Sequence, residues 1–135
     1  MSESVTDARL REAALDVMRR AYAPYSGFRV GAALASRNAG PFVGCNVENA
    51  AYGSSICAER GAVLAAIAHG VRDFDRLVIA TEADAPAPPC GACRQMLAEF
   101  NPRMTITSCT AGGAEQRWNL SDLLPYPFTP HSLNR

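Results

Sequence analysis

The amino-acid sequence predicts an α/β domain in which helices pack on a mixed five-stranded sheet. Helix-like and strand-like segments alternate along the chain, and no internal repeat or linker separates them. The 135 residues are 48% hydrophobic and 19% charged, which is typical of a globular domain with a buried interior. We therefore expect residues 1–135 to form one domain.

The first half of the chain predicts one helix and a hairpin of two strands. Residues 6–21 repeat apolar side chains at helical spacing and carry charged side chains on the opposite face. Proline and glycine end this helix, and residues 28–36 and 42–47 are predicted as strands. The turn between them, at residues 37–40, has the sequence Arg-Asn-Ala-Gly.

The second half predicts two longer helices and one short helix among the strands. The helix at residues 57–69 should stop at Gly70, and the helix at 91–100 should end before a proline. Ser121 is expected to cap a brief last helix before Pro125. The three remaining strands are expected at residues 76–81, 104–109 and 115–119.

Composition and charge exclude several classes of function. Thirteen basic and thirteen acidic residues cancel, so the sequence lacks the basic surface that nucleic-acid binders need. No apolar run approaches the roughly 18 residues of a membrane span, and the first residues do not resemble a signal peptide. We therefore expect a cytoplasmic protein without nucleic-acid or membrane partners. Its five cysteines should be reduced thiols.

Two motifs carry the chemistry. The first is Cys57-Ala-Glu59-Arg60, and the second, Pro-Cys90-Gly-Ala-Cys93-Arg, follows about thirty residues later. Three cysteines can hold one zinc ion per chain and leave its fourth position to water, as catalytic zinc sites do. Glu59 is the carboxylate within these motifs, so it is expected to move protons. This pattern is the signature of zinc nucleobase deaminases.

Each cysteine group is expected at the start of a helix, where free N–H groups and the helix dipole favour thiolates. Three thiolates exceed the charge of one zinc ion, and we expect Arg60 and Arg94 to donate hydrogen bonds to sulfur. Cys45 and Cys109 lie on predicted strands and are expected to be buried apolar side chains. His69 and His131 are not expected to be ligands.

Two other interpretations of the cysteine motifs, as a redox pair or as a structural zinc site, explain fewer of these residues. A Cys-x-x-Cys pair alone could be a redox pair or half of a structural zinc ribbon. A ribbon needs a second such pair, which the sequence lacks, and a redox pair leaves Cys57 and Glu59 unexplained. A zinc-binding module without enzymatic activity would have no need of Glu59.

Over nearly its whole length the chain resembles the cytidine deaminase family, of the short homotetrameric type. The matching stretches begin with Tyr-Ala-Pro-Tyr-Ser-Gly-Phe at residues 22–28 and end with Leu-Leu-Pro-Tyr-Pro-Phe at 123–128. Between them lie Gly-Cys-Asn-Val-Glu-Asn-Ala-Ala-Tyr at 44–52 and the two cysteine motifs. The resemblance implies a three-layer α/β/α fold and a homotetramer with composite active sites.

The resemblance also implies a role for each matching residue. The zinc ligands would be Cys57, Cys90 and Cys93, and the proton shuttle would be Glu59. Residues expected to contact the nucleoside are Phe28, which would stack on the base, Asn46 and Glu48, which would bind the ribose, and Ala58. Three further residues would reach the site from neighbouring subunits: Ala50, Tyr52 and Phe128.

The implied reaction is the hydrolytic deamination of cytidine and deoxycytidine, in pyrimidine salvage. Asn46 and Glu48 are expected on one face of a strand, so that both reach one sugar. Asn46 could instead be a strand-end residue, Glu48 a solvated charge, and Phe28 or Phe128 a core aromatic. The alternative substrates are a related heterocycle such as blasticidin S or a base within a polynucleotide. Low charge and the 7% aromatic content argue against the polynucleotide.

Overall fold

The computed structural model of the chain describes residues 5–133. Four α-helices and five strands follow one another in the order α1, β1, β2, α2, β3, α3, β4, β5, α4. The helices are α1 (Asp7–Met18), α2 (Ala58–Ala68), α3 (Gly91–Phe100) and α4 (Leu120–Leu123). The strands are β1 (Val30–Ser36), β2 (Phe42–Cys45), β3 (Phe74–Thr81), β4 (Thr105–Thr110) and β5 (Glu115–Asn119). Short 3₁₀ turns occur at Tyr52–Ser54 and Pro130–Leu133.

The five strands form one mixed sheet in the order β2-β1-β3-β4-β5, which confirms the predicted sheet. Strands β3 and β4 are parallel, and every other neighbouring pair is antiparallel. A parallel pair requires a crossover, and α3 supplies it between β3 and β4. The second cysteine motif therefore lies on the connection that leaves the carboxyl end of β3.

Helices cover both faces of the sheet, so the fold has the expected three α/β/α layers. Alternate residues of a strand point to opposite faces, and here both sets are apolar. One face, which includes Leu34, Leu77 and Ile79, packs against α2 and α3. The other face, which includes Ala33 and Val78, packs against α1.

Glycine lets α2 lie directly on the sheet beside the site. A Cβ added at Gly44 of β2 would come within 2.4 Å of the Ala62 nitrogen and 2.5 Å of the Ala58 oxygen. The absence of a side chain at Gly44 thus sets the depth at which the amino end of α2 sits. That end carries Cys57 and Glu59.

Several predicted boundaries differ from those in the structure. The first helix begins after Thr6, whose hydroxyl accepts from the Arg9 N–H at 3.1 Å, but it ends at Met18 rather than residue 21. The first two strands span residues 30–36 and 42–45, so each is two residues shorter than predicted. The predicted Ser121 cap is wrong, because Asn119 is the N-cap of α4 and Ser121 lies inside the helix.

The third strand is longer than predicted and begins at Phe74, and the fourth is shifted by one residue to Thr105–Thr110. Helix α2 stops where it was expected to, with His69 as C-cap and Gly70 at a φ of 80°.

Within residues 5–133, no helix has both the length and the apolar character needed to cross a membrane.

Candidate active site

The three cysteines of the two motifs meet where α2 and α3 begin. Cys57 is the N-cap of α2 and Cys90 is the N-cap of α3, both with extended backbone geometry, and Cys93 is buried in the first turn of α3. The unpaired N–H groups of two helices therefore surround the sulfur atoms. This placement matches the expected one, and it favours negative charge on the thiols.

The sulfur atoms are spaced as zinc ligands are. The Sγ atoms of Cys57 and Cys90 are 3.8 Å apart, those of Cys90 and Cys93 are 3.4 Å apart, and all three lie within 4.8 Å of one another. Sulfurs bound at about 2.3 Å in a tetrahedron stand about 3.8 Å apart. The donor set and its spacing thus fit one zinc ion with a fourth position left for another ligand.

Hydrogen bonding within the cluster shifts the pKa values of the Cys57 and Cys93 thiols in opposite directions. Hydrogen bonding by Cys93, to which Arg60 adds, lowers the pKa of the Cys57 thiol to about 5. The same contact raises the pKa of Cys93. Arg60 donates from Nη2 to the Cys57 sulfur at 3.6 Å and to the Ser55 carbonyl at 3.3 Å. Arg60 therefore lies where it can offset the charge of a thiolate.

Arg94 does not take the role expected for it. Its Nε donates to the Pro89 carbonyl at 2.8 Å and its Nη1 to the Leu123 carbonyl at 3.0 Å, rather than to sulfur. Arg94 follows Cys93 in sequence, but the turn of the helix directs its guanidinium toward the preceding loop and the chain after β5. Its role in the structure is to hold these two segments to α3.

Glu59 is a buried carboxylate beside the three sulfurs. It lies in the first turn of α2, two residues after Cys57, and only 6% of its surface is exposed. Burial raises the pKa of Glu59 to about 7, because the charged form loses its hydration. A carboxyl group in such surroundings exchanges protons readily near neutral pH.

Two adjoining cavities open beside this centre. The inner cavity, of about 250 Å³, contains Glu59 and is also lined by Phe28, Ala58, Asn46, Cys57 and Cys90. The outer cavity, of about 400 Å³, is lined by Tyr25, Ser26, Asn46, Glu48, Tyr52 and Cys57, among others. Asn46 and Cys57 line both, so the two cavities adjoin, and the inner one reaches Cys57 and Cys90.

Asn46 and Glu48 lie beyond the end of β2, not on a strand as predicted. Pairing with β1 stops at Cys45, and Val47 then bridges Tyr22 and Ile56 singly. The Asn46 amide accepts from the Val30 N–H and donates to the Phe28 carbonyl, each at 2.8 Å. Asn46 therefore fixes the backbone that carries Phe28, and its second amide N–H, which has no hydrogen-bond partner among residues 5–133, can donate to a ligand.

Glu48 organises the loop that precedes Phe28. One carboxylate oxygen accepts from the N–H groups of Tyr25 at 3.0 Å and Ser26 at 3.1 Å, and the other accepts from the Ser26 hydroxyl. Ser26 Oγ in turn accepts from the Phe28 N–H at 3.0 Å. These bonds, that of the Ser26 hydroxyl first, lower the pKa of Glu48. Glu48 is therefore a carboxylate at neutral pH.

The residues expected from neighbouring subunits are all exposed. Tyr52 is 75% exposed, lines the outer cavity of its own chain and contacts Tyr25 edge to face, with ring centroids 6.1 Å apart. Ala50 and Phe128 line neither the inner nor the outer cavity. Contribution to another subunit's site remains a prediction for all three.

Sequence reasoning missed several residues that line the cavities, among them Ser26 and Thr81. Ser26 links Glu48 to Phe28, but a serine in a turn carries no such signal in the sequence. Thr81 ends β3 and lines the inner cavity, and its buried Oγ1 has no hydrogen-bond partner within residues 5–133. Of the other cysteines, Cys109 is buried against α1 as expected, whereas Cys45 is only half-buried.

Comparisons with known proteins agree with this geometry. Residues 4–109 match the family model of the cytidine and deoxycytidylate deaminase zinc-binding region. The cytidine deaminase of Sporosarcina psychrophila is 41% identical over 116 residues, 85% of each chain. That of Halalkalibacterium halodurans is 41% identical over 122 residues, 90% of this chain and 92% of its own. The crystal structure of cytidine deaminase from Burkholderia pseudomallei superposes with a TM-score of 0.88 at 42% identity, covering 92% of this chain and 100% of that one.

Proposed function

Since this chain belongs to the family of cytidine and deoxycytidylate deaminases with a zinc-binding region, we propose that it hydrolyses cytidine and deoxycytidine to uridine and deoxyuridine plus ammonia. Pyrimidine salvage is the proposed context. The observation that carries the proposal is the buried Glu59 beside three convergent thiols at the inner end of a cavity. A structural zinc site would need a fourth protein ligand and no buried carboxylate.

Zinc is the cofactor, and Cys57, Cys90 and Cys93 are the ligands we propose for it. When bound there, zinc supplies an activated water close to Glu59. Arg60 offsets the excess negative charge through the Cys57 sulfur. The fold contributes the two helix ends that hold the sulfurs close together.

Glu59 carries both protons of the attacking water. It accepts the first and delivers it to N3 of the cytosine ring as the water oxygen bonds to C4. It then moves the second to the amino group, so that the C4–N bond breaks and ammonia leaves. The keto product keeps the proton on N3. Burial of Glu59 keeps bulk water from competing in these transfers.

Phe28, Ala58, Asn46 and Glu48 are the proposed nucleoside contacts of the same chain. Phe28 and Ala58 line the inner cavity, where the base would lie, and Glu48 lines the outer one, where the sugar would lie. The Glu48 carboxylate accepts from a sugar hydroxyl but repels a phosphate. Nucleosides are therefore preferred over nucleotides.

The active form is a homotetramer of single-domain chains with composite sites. The family resemblance and the exposure of Ala50, Tyr52 and Phe128 support this proposal. The compartment we propose is the cytoplasm, and the free thiol state of all five cysteines agrees with it.

One assay tests the function. Purified protein is incubated with cytidine, deoxycytidine, CMP, cytosine or blasticidin S, and loss of ultraviolet absorbance is followed for each. We expect turnover of the two nucleosides, with CMP and free cytosine poor. Turnover of blasticidin S alone would assign the chain to a different heterocycle, and equal rates for CMP and cytidine would refute the sugar site.

A further inference from the structure

One side chain holds the carboxyl-terminal tail in place. After α4, residues 124–129 form neither helix nor strand. Gln95 of α3 binds the backbone of Phe128 twice: Nε2 donates to the Phe128 carbonyl at 2.7 Å, and Oε1 accepts from the Phe128 N–H at 3.0 Å. A primary amide can do this because it carries a donor and an acceptor side by side.

The tail has no other such attachment. Within the described chain, the remaining hydrogen bonds of residues 125–133 join Thr129 to Ser132 and are internal to the tail. Chain ends are poorly ordered unless something ties them down. Within residues 5–133, the hydrogen bonds that attach Phe128 to the rest of the domain therefore come from Gln95.

The side chain of Phe128 is exposed to solvent. Phe128 is 57% exposed, and its ring lines neither cavity of its own chain. An aromatic side chain whose backbone is fixed while its ring stays in solvent is suited to contact another molecule. Ordering the backbone beforehand lowers the entropy lost when that contact forms.

Gln95 also relates the tail to the metal centre. It lies on α3 two residues after Cys93, and Arg94, between them, holds the Leu123 carbonyl. Consecutive side chains of the helix that begins at the sulfurs thus hold both the start of the tail and Phe128. The tail and two of the proposed zinc ligands are therefore attached to the same helix.

We infer that Gln95 is a positioning residue for substrate binding, which fixes the tail so that Phe128 of each subunit enters the nucleoside site of a neighbouring subunit. This inference rests on the composite site proposed above and adds the residue that holds the donated side chain. Gln95 itself lines neither cavity and acts only through Phe128.

The first test replaces Gln95 by methionine, which has a similar length but no donor or acceptor. We expect KM for cytidine to rise about tenfold, because two hydrogen bonds are lost, with kcat and zinc content unchanged. Gln116→Met is the matched control, since Gln116 is exposed on β5 and should tolerate the change. An unchanged KM in Gln95→Met overturns the inference.

Phe128→Ala and the double variant show whether Gln95 acts through Phe128. We expect Phe128→Ala to raise KM at least as much, and Gln95→Met to add nothing on top of it. Additive effects would mean that Gln95 acts by another route and would overturn the inference. A parental KM in Phe128→Ala would overturn the inference and would also remove the tail from the composite site. If that variant still deaminated cytidine at the parental rate, the proposed reaction would stand.

Mixed assemblies test donation between subunits. Subunits carrying Glu59→Gln lack the proton shuttle but keep an intact tail, whereas Gln95→Met subunits keep the shuttle but have a loose tail. Co-assembly should give active sites with a KM near the parental value, since the inactive subunits lend their tails. A KM that stays raised in the mixed assembly would mean that the tail serves its own chain, and the inference would fail.

Discussion

At the scale of single residues, this chain contains cysteines in two kinds of surroundings. Cys57, Cys90 and Cys93 face one another at the ends of two helices, where backbone N–H groups favour thiolates. Cys109 lies in the apolar layer between α1 and the sheet, where burial raises the pKa of its thiol. The position of each cysteine in the fold therefore decides whether it could bind a metal ion.

Serine substitutions should reveal this difference. We expect Cys57→Ser, Cys90→Ser and Cys93→Ser each to lose the zinc that the parent holds at about one ion per chain, or to unfold. Cys109→Ser, the matched control, should keep its zinc. Metal analysis of the purified variants checks this, and full occupancy in Cys90→Ser would remove that residue from the ligand set.

Glu59→Gln should separate metal binding from turnover. The amide preserves the size of the side chain but cannot shuttle protons, so we expect kcat to fall at least about a thousandfold while zinc and nucleoside still bind. Steady-state kinetics together with metal analysis measure both effects. If the variant kept a rate within tenfold of the parent, another group would have to be the base.

Ser26→Ala should change how KM depends on pH on the acidic side. Ser26 lowers the pKa of Glu48 by hydrogen bonding to the charged form, so its removal raises that pKa. In the proposed site the ionised carboxylate is the form that accepts hydrogen bonds from the sugar, and KM should therefore rise as the pH falls through the pKa of Glu48. We expect that rise to begin at a higher pH in Ser26→Ala than in the parent or in the exposed control Ser121→Ala. Coincident KM–pH profiles would contradict this.

The roles that could be predicted from the sequence are those set by local chemistry. The sequence identifies Cys57, Glu59 and Cys90 because each belongs to a short motif whose spacing and helix start can be recognised locally. The partners of Ser26 and Gln95 lie 22 and 33 residues away in the chain, so only the folded backbone brings them together. The position of Arg94 next to Cys93 predicts a hydrogen bond to sulfur, but helix geometry directs its guanidinium to the Pro89 carbonyl.

At the scale of elements, the hydrophobic pattern predicted every α-helix and strand but not all of their ends. β2 stops early because the side chain of Asn46 accepts a hydrogen bond from the Val30 N–H, and Val47 beyond it pairs singly with Tyr22 and Ile56. Alternation of side chains does not show this change. The position of α2 on the sheet depends on Gly44, whose lack of a side chain is a matter of space rather than of pattern.

Gly44→Ala should therefore disturb the site through the fold. The added methyl group would overlap the backbone of α2, and we expect the free energy of unfolding to fall by about 3 kcal/mol or more, with weaker zinc retention. Gly112→Ala is the control, since its Cβ would meet an atom no closer than 3.9 Å. Denaturant unfolding of both variants is the measurement, and equal stabilities would show that α2 can move away at little cost.

At the scale of the whole molecule, several large apolar side chains are exposed. Tyr25, Tyr52 and Phe128 are 51%, 75% and 57% exposed, and Leu64 on α2 is 53% exposed. Side chains of this kind are ones that contact with another molecule would bury. A second copy of the chain is the partner that the proposed tetramer supplies.

Light scattering should give about four times the chain mass of 14.4 kDa. Truncation before Phe128 should reduce activity, because the nucleoside site loses the ring that closes it, while zinc remains bound. Metal analysis and kinetics on the truncated chain check both statements. A fully active monomer at assay concentration would exclude the composite site.

The two edges of the sheet bear on how copies of this chain can meet. An open edge invites a strand from another molecule, which leads to filaments rather than closed assemblies. β2 offers only four residues, and β5 carries exposed charges, of which Glu115 is paired with Arg11 and Arg117 with Asp7, each at 3.2 Å. An incoming strand would have to strip water from these ions. Growth by sheet extension is thus disfavoured at both edges of the sheet, which leaves the helices and loops as the surfaces through which copies of the chain can associate.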